Sequence, residues 1–277
     1  MDTGLRQVVE NINCEIEEKS SSDKLIWLTQ EWATDNFREF ISYRDELETG
    51  KIIDDNRNLL VHISADIKPN LKEDIMVKKF NLVRKYDKLR FCFLNSKAVR
   101  SLRLALALQE LGLNTPQPLA VIEERGKFNQ LIYSYFITEY IDYDYNLLDI
   151  VKDYDHPQRE KVKGYLPLIA DDIRQMHDAG IVHNDLHAGN ILVKEREDKP
   201  EFYYIDLNRG RIKDELSIKA RMKDLARFKL TEEEQEVFLK NYDPQNYKKL
   251  LKLMIAQREK RKKFKEWKRK VRIIFKK

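Results

Sequence analysis

The sequence predicts an α+β protein with two lobes, a smaller one with a five-stranded antiparallel sheet and one helix, and a larger one that is mainly helical. Five strand-like apolar runs precede residue 139, one strongly apolar helix interrupts them, and helical spacing dominates afterwards. Four segments are expected: an N-terminal helical extension, the sheet lobe, the helical lobe and a basic tail, at residues 1–48, 49–138, 139–257 and 258–277.

The small lobe is predicted from strand-like runs and one capped helix. The five runs are Lys51–Ile53, Asn58–Ser64, Asp74–Phe80, Pro118–Glu123 and Leu131–Thr138. Between the third and fourth, Asn95 or Ser96 could cap a helix that Gly112 ends. This helix is apolar on several sides, so we expect it to be buried.

In the larger lobe, one apolar stripe and one hairpin stand out. The segment Tyr165–Ala179 places its apolar residues on one helical face, and Gly180 follows as a stop signal. Two apolar runs, Ile191–Val193 and Phe202–Ile205, then predict the strands of a hairpin.

Composition narrows the class of protein. With 277 residues and 42% hydrophobic content, the chain can bury a sizeable core. The only cysteines, Cys14 and Cys92, are far apart and do not have metal-ligand spacing, which argues against a disulfide scaffold or a cysteine-based zinc site. The N-terminus lacks an apolar signal core, and no run approaches a membrane span, so we expect a cytosolic protein.

The positive charge is concentrated in the tail. Residues 258–277 hold twelve Lys or Arg and two Glu, a net charge of +10, so the chain total of +5 leaves −5 for all other residues. Apolar residues recur at helical spacing in this tail, at Phe264, Trp267, Val271 and Ile274. The pattern predicts either a helix on an anionic membrane surface or a helix whose stripe packs on the protein itself. A nucleic-acid partner is the weaker interpretation.

The segment 181–206 carries the chemistry. Asp185 precedes Asn190 by five residues, and Asp206 closes the next apolar run. Phosphoryl transfer from ATP needs such a set: one carboxylate for the attacking hydroxyl, and an amide with a second carboxylate to hold Mg²⁺. Asp, Gly and Asn also cluster in ordinary turns, but turn chemistry predicts no third carboxylate after the following hairpin. The hairpin is expected to bring the three groups to one cleft.

Two histidines flank Asp185. His183 is expected to support the loop by hydrogen bonding to its backbone, although an ordinary core histidine is an open alternative. The spacing of His183 and His187 matches that of two zinc ligands on a helix, but Gly189 and Asn190 break any helix there.

Lys78 is the predicted phosphate-binding lysine. It lies at the end of the apolar strand Ile75–Phe80, from which it could reach the α and β phosphates, whereas Lys79 points to the other face. A glycine-rich phosphate loop is missing. Residues 54–58 could form a turn over the phosphates with Arg57, or an exposed polar hairpin.

From about Asn56 to Arg227 the chain resembles the lipopolysaccharide core sugar kinases, which phosphorylate Kdo or heptose and share the protein-kinase fold. The catalytic loop alone is unspecific, because antibiotic kinases carry it too. The segments Leu-Gly-Leu-Asn-Thr-Pro-Gln-Pro and Ile-Asp-Leu-Asn-Arg-Gly-Arg are more specific, and the version from Bacteroides-type bacteria is especially similar. The matching segments are Ile75–Phe80, Ala98–Pro118, Ile137–Tyr140, Ile181–Val193 and Ile205–Ile212.

The resemblance implies a role for each matching residue. Asp185 would orient and deprotonate the sugar hydroxyl, Asn190 and Asp206 would bind Mg²⁺, and Lys78 would bind the phosphates of ATP. The segment Thr138-Glu-Tyr-Ile would be the hinge, with backbone groups of Glu139 and Ile141 offered to adenine. One position departs from the family, because Ser101 stands where most members have the glutamate that pairs with this lysine. Three explanations stay open: another acid pairs with Lys78, the site is arranged differently, or activity is weak.

These features together predict an ATP- and Mg²⁺-dependent kinase acting on Kdo or heptose of the lipid A–core, peripheral on the inner face of the bacterial inner membrane. A kinase acting on proteins is disfavoured, because Asn184 replaces the arginine that docks a phosphorylated activation loop and no Ala-Pro-Glu segment follows Asp206. Two alternatives stay open: a soluble aminoglycoside-type phosphotransferase and a non-catalytic pseudokinase scaffold.

Overall fold

The computed structural model describes residues 24–69, 71–82, 85–228 and 230–274, which form two compact units. The first, here called the sheet unit, contains the described residues up to Asp142 together with Tyr203–Gly210. The second, the helical unit, contains Tyr143–Phe202 and the described residues from Arg211 onward. The part of the predicted N-terminal helical extension before residue 24 lies outside the described residues.

The sheet unit is built on six antiparallel strands in the order β1-β5-β6-β4-β3-β2. The strands are β1 Lys24–Leu28, β2 Lys51–Asp54, β3 Leu59–Ile63, β4 Ile75–Lys79, β5 Pro118–Gly126 and β6 Gln130–Glu139. Five of them match the predicted runs.

The sixth strand, β1, corrects the prediction of a purely helical N-terminal segment. It pairs with β5, placing Trp27 opposite Val121 and Leu28 opposite Ala120. Short helices do follow it, a 3₁₀ turn at Gln30–Trp32 and then α1 (Asp35–Ser42) and α2 (Arg44–Leu47). The run Lys24–Leu28 becomes a strand because an open sheet edge satisfies its backbone groups, which local periodicity does not reveal.

The helix α1 covers the sheet with an apolar face. The Thr34 hydroxyl caps it by accepting a hydrogen bond from the amide of Phe37 at 3.3 Å. Phe37, Phe40 and Ile41 are buried in one core cluster with apolar residues of β3 to β6. Residues predicted as a separate extension are therefore part of this unit's core.

Two helices lie between β4 and β5. The predicted one, α4 (Lys97–Glu110), follows α3 (Lys85–Phe93), which the sequence analysis missed. The Ser96 hydroxyl caps α4 by accepting from the amide of Val99 at 3.1 Å, and Gly112 follows its end with φ of +70°. Both end signals of α4 are thereby confirmed.

Within its described residues, the helical unit contains five α-helices, a 3₁₀ turn at Ala188–Asn190, four short strands and the first half of a fifth. The helices are α5 Leu147–Val151, α6 Arg159–Asp178, α7 Ile218–Leu225, α8 Glu232–Tyr242 and α9 Tyr247–Ile274. The strands form two small sheets. One contains β7 (Tyr145–Asn146), β9 (Ile191–Lys194) and β10 (Glu201–Tyr204), with β9 in the middle. In the other, β8 (Ile181–Val182) pairs with β11 (Arg211–Ile212). The chain passes to the sheet unit within β10, at Tyr203.

Gly180 ends α6 as the sequence predicts, and no other residue would fit there. Its φ is +80°, and a Cβ atom built on it would lie 1.9 Å from the backbone oxygen of Lys213. The Gly180 oxygen in turn accepts from the amide of Lys213 at 3.0 Å. This close approach sets the start of β8 and of the loop that follows it.

The basic tail is helical, but its helix begins well before the change in composition at residue 258. α9 starts at Tyr247, and its first half buries Leu250 and Met254. Phe264 and Trp267 are 59% and 60% exposed, with ring centroids 5.8 Å apart, and so do not pack on the described part of the chain. Phe264 and Trp267 of the predicted stripe are thus presented to solvent, whereas Val271 is half-buried and the Ile274 side chain lies outside the description. None of the described helices has the length and hydropathy needed to cross a membrane.

Candidate active site

The loop between β8 and β9, in the helical unit, holds three of the predicted site residues, His183, Asp185 and Asn190. Asp185 and Asn190 are both buried, and the side-chain amide of Asn190 donates to the backbone oxygen of Asp185 at 2.9 Å. This bond leaves Asn190 Oδ1 as the side-chain atom suited to bind a cation. His183 supports the same loop, because its Nδ1 accepts from the amide of Asp185 at 3.3 Å. Asn184 has φ of +61°, a conformation that asparagine tolerates better than most residues.

A buried carboxylate on α7 anchors this loop. Asp224, only 3% exposed, accepts a hydrogen bond at Oδ2 from the amide of His183 at 2.8 Å. The same oxygen lies 3.5 Å from His177 Nε2, and His177 Nδ1 lies 2.8 Å from the hydroxyl of Tyr242. Burial raises the pKa of Tyr242 to about 12, so the phenol stays protonated at neutral pH. The sequence analysis missed Asp224, because a single Asp in a helix carries no signal of burial.

Arg227 is a second residue that the sequence analysis missed. It follows α7, and its guanidinium Nη1 pairs with Oδ1 of Asp185. A charge-assisted bond of this kind fixes the direction in which a carboxylate points. The helical unit therefore holds Asp185 from two sides, through its backbone by His183 and through its side chain by Arg227.

The sheet unit holds the other four predicted site residues, and it places two of them, Lys78 and Asp206, in direct contact. Lys78 Nζ on β4 lies 2.6 Å from Asp206 Oδ1. The next residue, Lys79, points to the opposite face, as the two-residue period of a strand predicts, and lies 2.6 Å from Glu48 Oε1. The alternation along β4 thus gives the two lysines different partners.

Asp206 reaches Lys78 because residues 203–210 pack within the sheet unit. The amide of Tyr204 donates to the oxygen of Asn114 at 3.0 Å, and the Thr115 hydroxyl donates to the oxygen of Tyr204 at 2.8 Å. Asp206 itself has φ of +59°, and the side-chain amide of Asn208 donates to its Oδ1. Such a conformation in a residue other than glycine is held by its surroundings and often marks a functional position.

Ser101, which stands where the resemblance places a glutamate, bonds within its own helix. It is buried on α4, and its hydroxyl donates to the backbone oxygen of Lys97 at 2.9 Å. Lys78 pairs with the carboxylate of Asp206. The acid that pairs with Lys78 is therefore a predicted Mg²⁺ ligand and not a residue of α4.

Both backbone groups of the predicted hinge residue Glu139 make hydrogen bonds within the sheet unit. Its amide donates to the oxygen of Gln117 at 3.0 Å, and its carbonyl accepts from the Thr138 hydroxyl at 3.1 Å. Ile141 follows β6 and is half-buried.

The turn between β2 and β3, where Arg57 was a possible phosphate ligand, is exposed, and the amide of Asn56 donates to Asp54 Oδ1 at 3.3 Å. Among the residues that the structure describes, no group of three or more His, Cys, Asp or Glu side chains is placed to hold a metal ion. The zinc interpretation of His183 and His187 therefore gains no support.

Comparison with known proteins identifies the family. Residues 74–253, more than half of the chain, match the family model described as lipopolysaccharide kinase (Kdo/WaaP) family. The chain belongs to this family. Two curated relatives carry the name 3-deoxy-D-manno-octulosonic acid kinase. The relative from Haemophilus influenzae (strain 86-028NP) is 29% identical to this chain over 125 residues. The relative from Pasteurella multocida (strain Pm70) is 29% identical over 124 residues. Each match covers 44% of this chain and 49% of the relative. The chain thus spans about half the length of the curated relatives it matches.

A solved structure supports the fold class of this lipopolysaccharide kinase family member. The structure of WaaP in complex with acyl carrier protein matches with a TM-score of 0.59 and 19% sequence identity, covering 86% of this chain and 98% of that chain. The predicted α+β, protein-kinase-like fold is confirmed. The family match includes Lys78, the loop from His183 to Asn190, Asp206, Asp224 and Arg227.

Proposed function

We propose that this chain transfers the γ-phosphoryl group of ATP to a sugar hydroxyl, of Kdo or heptose, in the lipid A–core of lipopolysaccharide. Membership of the lipopolysaccharide kinase family supports the class of acceptor. The observation that carries the proposal is the anchored loop, in which the Asn190 side chain is hydrogen bonded to the backbone of Asp185 and the Asp185 carboxylate is oriented by Arg227. In kinases, an aspartate accepts the proton of the attacking hydroxyl and an asparagine binds Mg²⁺.

In the proposed reaction, the sugar hydroxyl oxygen attacks the γ-phosphorus, the bond from that phosphorus to the β–γ bridging oxygen breaks, and ADP leaves. The hydroxyl proton passes to the carboxylate of Asp185, which acts as general base. Arg227 aims this carboxylate, and His183 and Asp224 hold the backbone beneath it. Catalysis would thus come mainly from positioning and from charge complementarity.

Each unit carries groups of the kind that bind a nucleotide. In the sheet unit, Lys78 carries the positive charge for the α and β phosphates, and backbone groups of Glu139 and Ile141 would bind adenine. Asn190 Oδ1 and the Asp206 carboxylate are oxygen donors of the kind that Mg²⁺ prefers, so these side chains fit the metal that kinases require. Mg²⁺, when bound there, would neutralise charge on the phosphates.

The test uses two variants and a defined set of acceptors. Asp185→Asn and Asp206→Ala should each lower turnover by about 10²- to 10⁴-fold while thermal unfolding stays near that of the wild type. Asp171→Asn, at an exposed pair with Arg174, serves as the matched control. ATP consumption and the mass of the product should be followed with Kdo-lipid A, with a heptose-containing core and with an aminoglycoside.

Each alternative predicts a different result in this assay. Phosphorylation of the aminoglycoside alone would identify a soluble small-molecule kinase. Stabilisation by ATP with Mg²⁺ but no ATP consumption would identify a pseudokinase. An Asp206→Ala protein with normal turnover would contradict the proposed metal ligands.

We further propose that α9 binds an anionic membrane surface, at the inner face of the bacterial inner membrane. Phe264 and Trp267 are exposed on a helix segment rich in Lys and Arg, which suits an interfacial helix. Replacing both with Ser should release the protein from vesicles containing anionic lipid. Tyr43→Ser, a control at 58% exposure, should leave binding unchanged. Equal sedimentation of all three proteins would refute this role.

A further inference from the structure

Two lysines of the sheet unit meet at one buried aromatic ring. Lys78 Nζ lies 5.5 Å from the ring centroid of Phe80, and Lys97 Nζ lies 5.7 Å from the same centroid. Phe80 is 3% exposed and is fixed by its amide, which donates to the oxygen of Ser134 at 3.0 Å. Since Lys78 belongs to β4 and Lys97 to α4, the fold brings together two ammonium groups that are separate in sequence.

Lys97 also shares the electrostatic surroundings of the Lys78–Asp206 pair. Burial is the largest cause lowering the pKa of Lys97, and Lys78 lowers it further, whereas the carboxylates of Asp87 and Asp206 raise it. Asp87 lies on α3 and is 8% exposed. The only hydrogen bond recorded for Lys97 Nζ among the described residues is a long one, to the oxygen of Asn81 at 3.4 Å.

Helix stability does not account for a lysine at this position. Lys97 is the first residue of α4, where the helix dipole disfavours a positive charge. It lies one turn before Ser101, the position where the resemblance to the family would place a glutamate. The helix face that would otherwise present an acid therefore presents a second cation beside Lys78.

This concentration of positive charge fits a polyanion. If Asp206 binds Mg²⁺ as proposed, the negative charge of its carboxylate is shared between the metal and the two lysines. The phosphates of a nucleotide are then the natural counter-ions of the lysines. The turn at residues 54–58 contains no glycine to wrap closely around phosphates, so side chains must supply part of the binding.

We propose that Lys97 is a second phosphate-binding lysine, which acts with Lys78 on the triphosphate of the nucleotide. The inference rests on the proposed kinase function and adds a ligand to its nucleotide site. Lys97 would favour the binding of ATP and ADP over that of AMP, because its contacts would be with the β and γ phosphates.

The experiment measures equilibrium binding of ATP, ADP and AMP, each with Mg²⁺, to the full chain by calorimetry. Lys97→Met should weaken ATP and ADP about tenfold and AMP less than about twofold, whereas Lys97→Arg should largely restore ATP binding. Lys79→Met is the matched control, because Lys79 lies on the opposite face of β4 with Glu48. Thermal unfolding of each variant should be recorded alongside.

The outcomes separate this inference from the function on which it rests. Absence of ATP binding by the wild type would overturn the kinase proposal and Lys97 with it. Normal ATP binding by Lys97→Met, beside weakened binding by Lys78→Met, would overturn the inference alone. Equal weakening of ATP and AMP by Lys97→Met would also overturn it, because a purely structural lysine would affect both nucleotides alike.

Discussion

Asp224→Ala tests whether a buried carboxylate holds the catalytic loop. The substitution removes the acceptor of the His183 amide, a bond of 2.8 Å to a side chain that is 3% exposed. Hydrogen bonds to charged groups contribute about 1.5–3 kcal/mol, and a buried donor left without its acceptor costs a similar amount. We therefore expect the free energy of unfolding to fall by about 2–4 kcal/mol.

Turnover should fall as well, because the backbone of the loop positions Asp185. Misplacement of a catalytic group by about 1 Å is enough to cost roughly 10²-fold in rate. Urea unfolding would measure stability, and kcat and KM for ATP would be measured at a temperature where the variant remains folded. The loss should appear in kcat rather than in the KM for ATP.

The control for this experiment is Asp178→Asn. Asp178 pairs with Arg221 at a side chain that is 54% exposed, and surface pairs of this kind contribute at most about 1 kcal/mol. If Asp224→Ala kept both the stability and the kcat of the wild type, Asp224 would not be an anchor, and the explanation of how Asp185 is positioned would be wrong.

Three further predictions concern stability alone. Arg159→Leu should lower the free energy of unfolding by about 3–5 kcal/mol in chemical denaturation, because it leaves the buried carboxylate of Glu234 without its bidentate partner. Gly180→Ala should be destabilised in the same assay, since its methyl group would overlap a backbone oxygen; a stability equal to the wild type would contradict the close approach. Burial raises the pKa of Glu48, but the hydrogen bond from Lys79 and other contacts outweigh burial, and the pKa is lowered from 4.5. The ionised Glu48 carboxylate therefore stabilises the folded protein, and this contribution should be lost as the pH falls below about 4.5. The free energy of unfolding of Glu48→Gln should decline less steeply with acid than that of the wild type.

Local signals in the sequence were sufficient for most secondary structure. α4 begins at a serine that caps it and is followed by a glycine with positive φ, both of which are properties of a few neighbouring residues. The strands β2 to β6 were predicted from short apolar runs for the same reason. β1 was predicted as helix because its five residues fit either period, and only pairing with the edge of β5 decides between them.

The partners of the site residues could not be predicted in this way. Arg227 contacts Asp185 across 42 positions in sequence, and Asp224 contacts His183 across 41. Neither side chain has a local pattern that distinguishes it from an ordinary charged residue on or directly after a helix. The role of each depends on which elements the fold brings together.

The sequence by itself determined which chemistry we propose for this protein, through the spacing of Asp185, Asn190 and Asp206, because that spacing is a property of one continuous loop and hairpin. The tertiary structure alone decided what surrounds those groups: the pairing of Lys78 with Asp206, and the meeting of Lys78 and Lys97 at one ring. The physical reason is the range of the forces involved. Caps, turns and alternation act over a few residues, whereas the partner of a charge depends on packing between segments that are far apart in the chain.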